Sequence, residues 1–240
     1  MKASERHRLK ENELSHVLSD ASSRLQQNRR MLGIAAGIVA LVFVLGIGYW
    51  AWTTRSQNRA QAMLGDAIVI MQAPVEDPKA GAKPGVTSYP TVQARAEAAL
   101  AKFAEVYSAY PSTDAGIAAR YYAASALAML GRHPEAAMRF QETVEQAGEN
   151  SFYGRMARLG VVEANVQAKK YDEAISAAQA LVNNTSDDTI PRDALLMELG
   201  RVQVAAGKKA EAKQTLDKMI ADFPESPYVE EAKRMIAELT

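Results

Sequence analysis

The sequence predicts an all-α protein: a single transmembrane helix at the N-terminal end, then a solenoid of paired antiparallel helices. Three observations carry that reading. Residues 31–52, MLGIAAGIVALVFVLGIGYWAW, contain no charged side chain and no proline. Four short stretches farther along repeat one pattern at intervals of 37 or 38 residues. The rest of the chain is rich in Ala, Leu, Glu, Lys and Gln, residues that favour helix over strand.

The first element is the tail, residues 1–30. Leu14, Leu18, Ala21 and Leu25 share one face of a helix with charges around it, a pattern that fits a short coiled coil, a membrane-surface helix or a partner site. A solvated, partly helical tail fits it as well.

The apolar run comes next, and it is long enough to span. At about 1.5 Å per residue it makes a helix of about 33 Å, against a hydrocarbon core of about 30 Å. Ten of its residues are Leu, Ile, Val or Phe; each favours insertion by about 0.3–0.6 kcal/mol, with no central charge opposing. A cleaved export signal has a shorter apolar stretch, of about 7–15 residues, and small residues at the cleavage point. This run is longer and ends in Tyr49, Trp50 and Trp52, rings with one polar edge that suit the headgroup layer. An uncleaved anchor over 31–53 is the expectation. Residues 1–30 carry seven Lys or Arg, among them Arg29 and Arg30 at the near edge, while Arg55 and Arg59 stand on the far side. That bias keeps the N-terminus in the cytoplasm. Gly33 and Gly37 form a GxxxG pair, a spacing that allows close helix contact and hence a homo-oligomer.

Residues 54–72 read as a helix continuing from the membrane. Residues 73–90, APVEDPKAGAKPGVTSYP, hold four prolines. A loop of that length inside a compact domain is either mobile or functional, and a mobile connection is expected.

Residues 91–240 repeat themselves. EAALAKF (97–103), EAAMRF (135–140), DEAISAA (172–178) and AEAKQTL (210–216) place Ala99, Ala136, Ala174 and Ala212 at spacings of 37, 38 and 38. Each unit reads as two helices, with Gly131 and Gly207 where one helix ends and the next begins. The last unit resembles a tetratricopeptide repeat: Leu196, Leu199 and Gly200 in the first helix, Gly207 in the turn, Ala212 and Leu216 in the second, and Pro224 at the close. The second unit matches at Ala124, Leu127, Gly131, Ala136 and Phe140. The third, with Val162, Lys169, Tyr171 and Ala174, matches in its second half. Ser226 and Pro227 are expected to cap and start a closing helix over 227–239.

That register sends Tyr121, Ser125 and Met129 toward a concave groove in the second unit, Met156, Leu159 and Glu163 in the third, and Met197 and Arg201 in the fourth. The surface is mostly apolar. Repeats of this type that clamp a partner's terminal carboxylate use Lys and Asn at such places, and neither occurs here. Methionine's flexible side chain suits varied apolar partners such as extended polypeptide. Packing against neighbouring helices accounts for each methionine equally well.

Several functions are excluded or disfavoured. Net charge is zero, divided as +3 over the first 30 residues and −3 over the rest, so no basic field is present for nucleic acid. The absence of cysteine removes disulfides, thiolate metal sites and a lipidated anchor. The three histidines, His7, His16 and His133, form no metal-ligand pair. Neither a phosphate-binding glycine loop nor a serine elbow occurs. The expectation is a protein that is not an enzyme and takes no cofactor.

The whole arrangement resembles a bacterial family of single-span inner-membrane proteins with a short cytoplasmic start, an anchor ending in GYWAW and a tetratricopeptide-like periplasmic domain. That family includes the ancillary subunit of the Sec translocon. The resemblance implies protein partners, namely Sec translocon subunits, periplasmic chaperones or exported polypeptides, with the lipid bilayer contacted through 31–53. It implies a scaffold for translocation or chaperone hand-over. A structural organiser of an envelope assembly or cell-division complex is the alternative, since the terminal FPESPYVEEAKRMIAEL also looks like repeats in such proteins.

Overall fold

The computed structural model describes residues 29–76, 87–184 and 189–239. The chain divides into two units at Arg55 and Ser56. The tail helix expected before residue 29 and the centre of the 73–90 loop lie outside the described residues.

The described part of the first unit is the beginning of helix α1 (Arg29–Gln72). It is long and apolar enough to cross a membrane: its mean hydropathy reaches 1.8 and none of that window is buried. Every large apolar side chain described between Met31 and Trp52 is exposed. Where the apolar run ends, Thr53 and Thr54 both donate their hydroxyls to the Trp50 carbonyl, each at 2.9 Å, so their polar atoms are satisfied within the helix.

The second unit is an all-helical solenoid. The end of α1, from Ser56, pairs with α2 (Val92–Ala109), and three pairs follow: α3 (Asp114–Met129) with α4 (His133–Ala147), α5 (Phe152–Gln167) with α6 (Tyr171–Asn183), and α7 (Arg192–Ala205) with α8 (Lys209–Asp222). Helix α9 (Val229–Leu239) closes the stack. Short connections force each helix to run antiparallel to the one before it. Among the described residues there is no strand beyond the single bridge between Val75 and Tyr89.

The repeated alanines explain why the helices pair so closely. Ala99, Ala136, Ala174 and Ala212 are all 0% exposed, placing a small side chain where two helices cross; a larger one there would cost about 1–3 kcal/mol in overpacking. Phe103, Phe140 and Leu216 fill the space between helices in three successive pairs. Ala60, Leu64 and Ala67 of α1, spaced at helical intervals, share a core with Phe103, Val106, Ala115 and Ala119.

Three turns within pairs are built alike, 38 residues apart. Gly131, Lys169 and Gly207 have φ of 72°, 58° and 73°. The next N–H in each turn, from Arg132, Lys170 and Lys208, donates back to the carbonyls of Leu127, Asn165 and Gln203 at 2.9, 2.8 and 2.9 Å. This is the Schellman closure, which satisfies carbonyls left free at a helix end and requires a left-handed residue. Between pairs, Thr113 and Ser151 accept from the N–H of Gly116 and Gly154, each at 3.0 Å, capping α3 and α5.

The stems of the 73–90 loop are tied down. Glu76 N–H donates to the Tyr89 carbonyl and Tyr89 N–H to the Pro74 carbonyl, both at 3.0 Å. Arg95 adds a bond from Nη1 to the Ala73 carbonyl at 2.9 Å.

The closing helix starts two residues later than the cap pattern predicts. The Ser226 hydroxyl does accept from the Tyr228 N–H at 3.2 Å, but it donates to Asp193 Oδ2 of α7 at 2.6 Å. Pro227 and Tyr228 are drawn into the preceding turn.

Candidate partner-binding face

The concave-face residues lie on the first helices of the pairs, α3, α5 and α7. Their fates differ. Met129 and Met156 are open, 41% and 38% exposed, and Glu163 is exposed as well. The Glu163 carboxylate accepts from Gln167 Nε2 one turn on, at 2.8 Å. Met129 ends α3 while Met156 sits in the first turns of α5. Because α3 and α5 run in the same direction, the two methionines stand toward opposite ends of the face and do not form one patch.

Tyr121, Ser125 and Leu159 are half-buried. Ser125 Oγ donates to the Tyr121 carbonyl at 3.2 Å. The Tyr121 ring lies 5.5 Å from Tyr122 and 5.6 Å from both Phe140 and Tyr153. Phe103 stacks on Tyr122 at 5.5 Å, and Phe152 meets Tyr153 edge-on at 5.2 Å. Six rings from α2, α3, α4 and α5 therefore run together, with Phe152 exposed at one end. Burial, with Tyr122 and Tyr121 beside it, pushes the Tyr153 phenol up to about 12. Burial likewise raises the Tyr121 phenol above its ordinary value. Neutral phenols in an apolar setting offer hydrogen bonds with flat faces, a surface suited to peptide groups. Tyr122, Phe152 and Tyr153 escape the sequence register because they fall outside its concave positions; the clustering of Tyr121, Tyr122, Phe152 and Tyr153 near successive helix starts is the signal that points to them.

Two sequence-predicted residues are corrected. Met197 is 0% exposed, enclosed in a core with Leu216, Met219 and Ala232, against which Tyr228, Met235 and Ile236 pack. It belongs to the interior because α9 covers that part of α7. Arg201 is engaged by the same helix: its Nη2 donates to Glu231 Oε1 and Oε2 at 2.8 and 2.9 Å, and its Nε to Oε1 at 3.1 Å. Its guanidinium also lies 5.9 Å from the centre of the Tyr228 ring. Burial works to lower the Arg201 pKa, and the hydrogen bond and charge of Glu231, with Glu198 behind, outweigh it and raise it. The fourth pair thus carries a built contact where the register placed an open groove.

At the other end of the chain, Arg29 is the first residue of α1, and Arg30, Tyr49, Trp50 and Trp52 are exposed on it. Among the described residues no group of three or more His, Asp or Glu is placed to hold a metal ion.

Two solved structures are similar to this chain: the nearly identical TPR-like repeats of a protein assigned as a kinesin light chain in Podosopora anserina, and a point variant of it. Both match with 16% identity and a TM-score of 0.54, covering 76% of this chain and 85% or 86% of theirs. At that identity the likeness concerns the fold. A search of curated proteins gives no match. The tetratricopeptide repeat-like domain family matches residues 91–226, more than half of the chain. The four buried alanines and the three equivalent turns fall at that family's repeat spacing, and the chain belongs to the tetratricopeptide repeat-like domain family.

Proposed function

We propose that this protein is a membrane-tethered scaffold for protein–protein interaction that assists protein translocation or chaperone hand-over at the bacterial inner membrane. One observation carries the reading: a tetratricopeptide repeat-like domain and a helix long and apolar enough to cross a membrane occur in the same chain. Solenoids of paired helices bind partners along their exposed faces, and a tether confines such a face to one side of a bilayer. The excess of basic residues before the apolar run supports a cytoplasmic N-terminus and an extracytoplasmic repeat domain. Arg29 and Arg30 then meet one headgroup layer and Tyr49, Trp50 and Trp52 the other.

Partners dock on the face of α3 and α5, through Met129, Met156 and Phe152 with Tyr121, Ser125, Leu159 and Glu163 around them. The mixture of flexible thioethers and fixed rings suits extended polypeptide. In-cell crosslinking from photoreactive residues at 129 and 156 tests this. Capture of translocon subunits, periplasmic chaperones or many exported polypeptides is expected. Capture of one defined envelope protein alone displaces the export reading in favour of an organiser of an envelope complex.

A further inference from the structure

The second helices of successive pairs leave three cavities between them, distinct from the face just described. They lie between α2 and α4, α4 and α6, and α6 and α8, with volumes of about 400, 450 and 340 Å³. The last two are lined one repeat apart: Gln141, Val144 and Val161 of the middle cavity become Gln179, Val182 and Leu199 of the last.

At the first two cavities the chain supplies its own guanidinium from one register position. The Arg120 side chain is 13% exposed, with Nη1 3.8 Å from Glu142 and its guanidinium over Tyr107, a residue of the first cavity's lining. Arg158, one repeat on, is 11% exposed; it donates from Nη2 to the Ala180 carbonyl at 3.1 Å and has Nη1 3.9 Å from Glu149. The next position in that series is Leu196.

The α6–α8 cavity is left with acceptors and no cation of its own. Gln203 lines it, only 6% exposed, and its Oε1 is buried with no hydrogen-bond partner among the described residues. An unsatisfied buried acceptor costs about 1–3 kcal/mol. The Glu211 carboxylate, also in the lining, is exposed and makes no ion pair among the described residues. Both nearby ammonium groups are taken: Lys218 pairs with Asp222 at 2.7 Å and Lys208 with Asp172 at 2.8 Å. Val182, Leu196 and Leu199 give the cavity an apolar wall, against which a methylene stem can lie.

We propose that the α6–α8 cavity receives an arginine side chain from a partner polypeptide. The guanidinium donates to Gln203 Oε1 and pairs with Glu211, completing in the last cavity the arrangement that Arg120 and Arg158 provide in the others. A fixed fork of donors suits two acceptors at different depths better than an ammonium does. The site is independent of the concave face: Leu196, Leu199 and Gln203 fall on a different side of α7 from Met197 and Arg201.

The test is titration of the full chain, in detergent micelles, with N-acetyl-arginine amide and with its neutral isostere N-acetyl-citrulline amide, followed by saturation-transfer NMR. Saturable binding of the arginine probe is expected, with the citrulline probe at least about tenfold weaker. Q203M, which keeps the volume and removes the orphan acceptor, should weaken the arginine probe about tenfold while leaving the thermal midpoint unchanged or raised. E211Q, at an exposed position, should weaken it about threefold. No saturable binding, equal binding of the two probes, or undiminished binding by folded Q203M overturns the proposal. Because no variant touches the α3 and α5 face, crosslinking from residues 129 and 156 fails or succeeds separately.

Discussion

The third and fourth helix pairs use one register for opposite ends. Leu159 of α5 and Met197 of α7 stand 38 residues apart at the same place in the repeat, as do Glu163 and Arg201. In the third pair Leu159 is half-buried and Glu163 exposed; in the fourth, Met197 is sealed and Arg201 is held by Glu231. The difference is α9, which lies over α7 as the first helix of a further repeat would. Helical periodicity decides the direction in which a side chain leaves its helix. Whether it ends in solvent or in the core depends on what the chain lays over it next.

The sharpest break of that comparison is a charge at each of two methionines. Met197→Glu puts an unpaired carboxylate into a dry core and should destabilise the repeat unit by about 3–5 kcal/mol. A domain of this size then melts about 10 °C lower or unfolds outright. Met156→Glu, on the open face of α5, should stay within about 0.5 kcal/mol of the parent chain while removing capture at that face. Thermal melts followed by circular dichroism separate the two. Equal midpoints would mean that α9 does not cover α7.

A milder change loosens the cover itself. Glu231→Gln keeps the shape of the α9 contact and removes the charge opposite Arg201. Both partners are partly solvated, at 41% and 37% side-chain exposure, so the loss is about 1 kcal/mol or less. Local opening should show it better than global unfolding: amide exchange in α9 is expected to rise about fivefold, with α3 to α5 unchanged. A uniform rise across the domain would argue against α9 as a separately opening cover.

Much of this architecture can be read from the residues. The repeat period, the buried alanines and the glycines at Gly131 and Gly207 are local in cause: a close crossing needs a small side chain, and a left-handed turn favours a residue without Cβ. The apolar character of residues 31–52 is equally local. The candidate face was less legible. Met197 and Arg201 look like Met156 and Glu163 to any register, because what distinguishes them is a helix that begins at Val229. Tyr153 joins Tyr121 and Tyr122 only through the packing of α5 on α3. The orphan Gln203 Oε1 reads in sequence as one more helical glutamine. Its isolation appears only when α6 and α8 are placed on either side of it.

The smallest effect sharpens the same third-versus-fourth comparison at the turns. Gly207 closes the fourth pair at φ 73°, and Lys169 closes the third at φ 58° with the same backbone bonds. A lysine there carries a Cβ into a region that costs L-residues about 1–2 kcal/mol. Its side chain is exposed and makes no hydrogen bond or ion pair among the described residues, so nothing in the folded state offsets that strain. Lys169→Gly removes the strain but gives the unfolded chain more freedom, worth about 0.4–1 kcal/mol, leaving a net gain of about 0.5–1 kcal/mol. Gly207→Ala runs the other way by about the same amount. In urea titrations both should move the midpoint with the slope unchanged. If Lys169→Gly lowers the midpoint, Lys169 makes a contact that supports the third pair, and the two turns differ in more than the residue at their apex.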